Sequence, residues 1–257
     1  MPGDTKLVNR IRREQTESEL QRLRDEVHAW HERRTAQDEH HQYATQLHAL
    51  KTLVDGALPG LKSGLDAVDL ARAPGTVYDD CRRFELRLLC LRRVWLFYKE
   101  KFDQRDSPDE DLRRTLQAAD EVLWSCYRQP FLQAEVQQLP LNQGPAPLPY
   151  FEPRYAPVAF PAREFGPGLL GDVDSEFVTD LPRQLPVAVL ALPAACVGAP
   201  WWLAYVAHEA GHHVQYDLAA RFKLVTHFRD RLKAVVAERG GDDRTGATTR
   251  CIHVCAP

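Results

Sequence analysis

The chain has 257 residues, of which 44% are hydrophobic and 27% are charged, and its formal net charge is −3. This composition is that of a globular protein with a substantial core, and it excludes a largely disordered chain. Acidic residues lie among the arginines and lysines, so that no uninterrupted basic face is available for a phosphate backbone. We therefore expect no nucleic-acid partner.

The cysteines and the N-terminal residues predict the compartment. The first 20 residues contain no apolar segment of the kind found in a secretory signal. The six cysteines are scattered, at positions 81, 90, 126, 196, 251 and 255. Without a secretory signal they are interpreted as reduced thiols, most of them buried as small apolar residues. A cytoplasmic protein is therefore expected.

Residues 1–138 are predicted to form a helical region, either a bundle or a coiled coil. Apolar residues recur at spacings of three and four, as in Leu20, Leu23, Val27 and Trp30. This pattern predicts two long amphipathic helices, or one interrupted helix, over about residues 6–55. The sequences LPG at 58–60 and APG at 73–75 are predicted to break the helical pattern. A further long helix is predicted from about residue 78 to about residue 102.

The sequence SPDE at 107–110 predicts the start of another helix. Ser107 is the expected N-cap, Pro108 suits the first helical position, and Glu110 completes a capping box. The helix should reach about residue 127, and Pro130 is expected to end or kink it.

The character of the sequence changes after residue 138. Prolines and aromatic residues recur in residues 139–182, which predicts a connector, either ordered and extended or disordered with aromatic anchors. The sequence LPVAVLALP at 185–193 is typical of a buried strand. The uncharged run 185–207 is also long enough for a membrane span, but four prolines and glycines interrupt it, so a strand, a turn and a buried helix explain it better.

A histidine motif follows this strand. His208, Glu209 and His212 match H-E-x-x-H. On an α-helix, residues four apart lie about 40° from each other around the axis, so both imidazoles can reach one Zn²⁺ at about 2.0–2.1 Å. Glu209 lies beside such a metal, where it suits a general base acting on water. The small residues around the motif, Ala210 and Gly211 among them, should let the helix approach a sheet closely. The alternative is a polar cluster that faces solvent and binds nothing.

Residues 185–218 resemble the active-site strand and helix of the zincin metallopeptidases. The resemblance implies that His208 and His212 bind zinc, that Glu209 is the catalytic base, and that peptide substrate binds in extended form along an edge strand. LPVAVLALP is then the candidate edge strand. The helical first half of the chain lies outside the resemblance.

The third zinc ligand is not evident. The metzincin subtype requires a glycine and a histidine where this chain has Gln215 and Leu218. The remaining fit is the gluzincin type, whose third ligand is a glutamate on a later helix. Glu238, followed by Asp242, is the candidate, because no other glutamate comes after Glu209. Otherwise the site is incomplete and binds zinc weakly.

These observations predict a predominantly α protein of the α+β class, with a helical bundle (1–138), a connector (139–182) and a partial zincin-like segment (183–257). The expected function is zinc-dependent hydrolysis of a peptide or protein substrate, away from membranes. The alternative is a helical interaction module, with a helical protein partner or a second copy, that carries a degenerate or truncated, inactive site. A metal role for the alternating Cys251, His253 and Cys255 is a weaker hypothesis than an unstructured tail.

Overall fold

The computed structural model describes residues 3–36, 43–138, 143–160, 187–222 and 224–239. These residues form six α-helices and one three-stranded sheet, which confirms a predominantly α fold of the α+β class. The helices are α1 (Gly3–Thr35), α2 (Ala44–Asp66), α3 (Pro74–Asp103), α4 (Glu110–Val136), α5 (Leu203–Phe222) and α6 (Leu224–Arg239). The strands are β1 (Leu148–Glu152), β2 (Val158–Phe160) and β3 (Val189–Pro193).

Helices α1, α2 and α3 pack together around an aromatic centre. The apolar stripe that predicted α1 is buried: Leu20, Leu23, Val27 and Trp30. The Trp30 ring meets the rings of Trp95 and Phe102 edge to face, at centroid distances of 4.8 and 5.5 Å. Such aromatic pairs are favourable beyond the area they bury. The helical bundle predicted from periodicity is therefore present.

Two helices continue beyond prolines, one of which was predicted to break its helix and the other to end or kink its helix. Helix α2 runs through Pro59 to Asp66, and α4 runs through Pro130 to Val136. An interior proline costs about 3 kcal/mol in a helix. In α2 the cost is offset because Leu58, Leu61 and Leu65 on both sides of the proline are buried in the core.

The cap of α4 also differs from the prediction. The helix begins at Glu110, and Asp109 rather than Ser107 is its N-cap, accepting hydrogen bonds from the N–H groups of Asp111 and Leu112. Ser107 instead accepts a hydrogen bond from the N–H of Asp109. The aspartate carboxylate is the better acceptor for the first amides of a helix, because it also interacts favourably with the helix dipole.

The sheet has the strand order β1–β3–β2, so β3 is the central strand. Strand β1 pairs with β3 in parallel, and β2 pairs with it in antiparallel orientation. The prediction that LPVAVLALP forms an edge strand is therefore wrong, because its apolar residues are covered by strands on both sides. Strands β1 and β2 come from the segment predicted to be a connector. Pro149 fits within β1 because an edge strand has an outward row of N–H groups that needs no partner in the sheet.

The sheet separates two apolar layers. Leu148, Tyr150, Val189 and Ala191 join the core of the helical bundle. Phe151, Leu190 and Leu192 point to the other face, where they pack with residues of α4 and α5. This alternation follows from the two-residue period of a strand. The β3 residues on this second face are the ones that support α5.

The buried guanidinium of Arg105 joins α4 to the sheet. It donates two hydrogen bonds to Asp120 of α4, at 3.2 and 2.7 Å, and one to the carbonyl of Pro149 in β1, at 3.0 Å.

Residues Met1–His213 form one compact unit and Val214–Pro257 a second, with the division inside α5. The first unit includes residues on both sides of the predicted boundary at residue 138.

No helix in the described ranges carries an apolar stretch long enough to cross a bilayer. Residues 187–207 of the uncharged run divide into β3, two short 3₁₀ turns and the first residues of α5. Each piece is too short for a span of about 20 residues.

Candidate metal centre

Helix α5 rests on the sheet through a narrow stripe of buried residues. Val206, Ala210 and His213, spaced by four and three, are each at most 1% exposed. Ala210 packs with Leu190 and Leu192, so the helix lies close to β3. Gly211 was predicted to help the helix approach the sheet, and this prediction is wrong. The residue is exposed, and a Cβ added to it would meet nothing within 4 Å.

The two motif histidines project from the other side of the helix and meet each other. The Nε2 atoms of His208 and His212 are 3.2 Å apart, and the ring planes are nearly perpendicular, at 87°. His208 is exposed and His212 half-buried. The helical spacing therefore brings together the two imidazoles that the sequence predicted as a pair.

Their geometry fits a shared metal ion. Two nitrogen ligands at 2.0–2.1 Å from one ion in a tetrahedral arrangement are about 3.3 Å apart. The observed Nε2–Nε2 distance of 3.2 Å is close to that value. The ligand atoms of His208, Glu209 and His212 all lie within 4.8 Å of one another. Imidazole nitrogens are also donors that zinc accepts. The same nitrogen–nitrogen distance equally permits a hydrogen bond between two neutral rings.

Glu209 is held by the sheet rather than by the histidines. The N–H of Ala159 in β2 donates to its Oε2 at 3.1 Å. Both residues are half-buried. Strand β2, and not β3, is thus the edge strand that reaches the motif.

His213 anchors the motif helix to β3. Burial lowers the pKa of His213 to about 4, with His212 contributing, although a hydrogen bond with the backbone of Val189 acts in the opposite direction. Its Nε2 is buried and has no hydrogen-bond partner among the described residues. The ring is therefore neutral and structural, in keeping with its predicted position about 100° around the helix from His212.

His208, Glu209 and His212 are the only group of three metal-binding side chains that the described residues bring together. Glu238 belongs to α6 by its position, but its side chain lies outside the described residues. Asp242, Cys251, His253 and Cys255 also lie outside them. The Ala159 contact was missed by sequence reasoning, because a backbone amide is not marked by any residue type.

Comparison of the chain with family models, with curated proteins and with solved structures gives no match.

Proposed function

We propose that the chain is a zinc-dependent metallopeptidase in which His208 and His212 bind the metal and Glu209 is the general base. The observation that carries the proposal is the convergence of the two Nε2 atoms to 3.2 Å beside a carboxylate that the sheet holds in place. The substrate would be a peptide or a protein. A cytoplasmic location is proposed with it, supported by the free thiols of Cys81, Cys90, Cys126 and Cys196.

The residues of the site have separate roles in this proposal. A bound zinc ion would act as a Lewis acid on a water molecule and on the peptide carbonyl. His208 and His212 would hold the ion through their Nε2 atoms. Glu209 would accept the proton of the attacking water at a carboxylate oxygen. Because His208 is exposed, an extended chain can approach the site from solvent without a rearrangement of the sheet.

The test separates metal binding from chemistry. We expect the purified protein to hold zinc near one equivalent, and His208→Ala to lose it, because one imidazole cannot retain the ion. His48→Ala, a change of an exposed histidine on α2, is the matched control and should keep its zinc. Metal content by plasma emission spectrometry measures both. Equal zinc content in all three proteins would contradict the assignment of His208.

Glu209→Gln should keep the zinc and lose peptide hydrolysis by a factor of about 10² or more, since the amide cannot accept the proton. Peptidase activity that is unchanged in this variant would contradict the role of Glu209.

Glu238 stays the candidate third ligand. Glu238→Gln should weaken zinc binding if the carboxylate completes the site, and it should have no effect if the site lacks that ligand.

The second candidate function is a helical interaction module with an inactive site. Leu7, Val8 and Ile11 near the start of α1 are 50%, 59% and 43% exposed, and they lie within one turn of each other. Such an exposed apolar surface can bind a partner helix or a second copy of the chain. A metal-free, folded protein that is dimeric by light scattering, and monomeric after Leu7→Glu and Ile11→Glu, would favour this function.

A further inference from the structure

One hydrogen bond joins the edge of the sheet to the proposed base. Oε2 of Glu209 accepts from the N–H of Ala159, at 3.1 Å. Within the described ranges, no group donates to its other oxygen, Oε1. The carboxylate is thus bound at one oxygen and open at the other.

The register of the sheet explains why this amide is available. Ala159 lies opposite Leu190 of β3. Leu148 of β1 donates to the carbonyl of Ala188 at 2.8 Å, so the backbone groups of Ala188 and Leu190 point towards β1. Ala159 therefore forms no backbone hydrogen bond with Leu190, and its N–H points away from β3. The antiparallel pairing thus directs the Ala159 amide away from β3 and towards Glu209 of α5.

We infer that the backbone amide of Ala159 positions Glu209, by holding Oε2 so that Oε1 is the oxygen that accepts the proton. The inference rests on the proposed function. A hydrogen bond to a charged acceptor is stronger than one between neutral groups. It restricts a side chain that would otherwise sample several rotamers on the helix surface. The amide acts through Glu209, so Ala159 is a positioning residue.

The first experiment removes only the donor. Ala159→Pro deletes the N–H, and an edge strand tolerates proline where its N–H faces away from the sheet. We expect kcat to fall by a factor of about 10 to 100, because a small displacement of a catalytic group costs this much. The KM and the zinc content should stay within about twofold, because neither histidine contacts the amide. Ala159→Ser keeps the N–H and is the control, which should retain kcat.

The second experiment needs no activity. Amide hydrogen exchange of Ala159 is measured by NMR in the metal-free protein and in two variants at Glu209. Glu209→Ala removes the acceptor, and exchange should become about tenfold faster. Glu209→Gln keeps a carbonyl oxygen at the same position and should preserve most of the protection. Equal exchange in all three proteins would show that the bond does not form and would overturn the inference.

A third variant covers the case in which Ala159→Pro does not fold. Glu209→Asp keeps a carboxylate but shortens the side chain by one methylene, so neither carboxylate oxygen reaches the Ala159 amide. It should show the faster exchange together with the lower kcat.

The failures of the inference and of the proposed function are distinguishable. If the wild-type protein cleaves peptide and Glu209→Gln does not, but Ala159→Pro is as active as the wild type, the function stands and the positioning role is wrong. If the wild-type protein with bound zinc cleaves no peptide of a random library, both are wrong.

Discussion

Asp103 is a residue at which a single carboxylate joins two helices of the bundle, α1 and α3. It accepts hydrogen bonds from the indole of Trp30 at 3.1 Å and from the buried guanidinium of Arg34 at 2.6 Å, both on α1. The Nζ of Lys99 donates to its other oxygen at 2.6 Å. Burial alone would raise the pKa of Asp103, but the hydrogen bonds from Lys99, Trp30 and Arg34 outweigh it and hold the pKa below its usual range.

This network predicts how stability depends on pH. A carboxyl group whose pKa is lower in the folded state stabilises the fold above its unfolded pKa of about 3.9, and the contribution is lost as pH falls through the folded pKa. Asp103→Asn should lower the free energy of unfolding by about 1–2 kcal/mol at pH 7 and by less at pH 2–3. Urea denaturation at both pH values measures the difference. Asp25→Asn, an exposed change on α1, should cost less than about 0.5 kcal/mol at either pH. If Asp103→Asn lowers the free energy of unfolding by the same amount at both pH values, the proposed effect of this network on the pKa of Asp103 is wrong.

At the scale of the element, two of the three glycines of α2 have opposite surroundings. Around Gly60 there is open space, whereas a Cβ on Gly64 would lie 2.5 Å from Cε1 of Phe84. Glycine in a helix costs about 0.5–1 kcal/mol relative to alanine. At Gly64 a larger residue would collide with Phe84 of α3, so the close contact between the two helices requires glycine despite its lower helix propensity.

The two positions are therefore a matched pair for mutation. Gly60→Ala should raise the free energy of unfolding by about 0.5–1 kcal/mol, since helix propensity is its only effect. Gly64→Ala should lower it by about 1–3 kcal/mol, because Phe84 must move. Thermal denaturation of both variants measures the changes. Equal effects at the two sites would show that α2 and α3 are farther apart than in this structure.

At the scale of the whole molecule, the zinc binding proposed for His208 and His212 should be linked to stability. A ligand that binds only the folded state, present at 100 times its Kd, stabilises that state by about 2.7 kcal/mol. For a chain of this size we expect the Tm to rise by roughly 5–10 °C when zinc is added to metal-free protein. His208→Ala should show no rise. A zinc-induced rise of the same size in that variant would place the binding site elsewhere.

The local character of the chain could be predicted from its sequence. Periodicity predicted α1, α3 and the bundle core, because residues three and four apart share one side of a helix whatever lies around it. The same local geometry predicted that His208 and His212 would meet, since four residues nearly complete one turn. The break predicted at Pro59 and the cap predicted at Ser107 were wrong, because burial and competition between neighbouring acceptors decide those points.

The tertiary structure alone decided the order of the strands and the environment of Glu209. Strands β1 and β2 have only five and three residues and lie in a segment with many prolines, so no strand pattern of their own marks them in the sequence. Their pairing makes β3 central and directs the Ala159 amide towards α5. A hydrogen bond between residues 50 positions apart depends on strand register, and register follows from contacts across the whole sheet. The sequence thus determined which side chains form the candidate site, and only the fold determined what holds them.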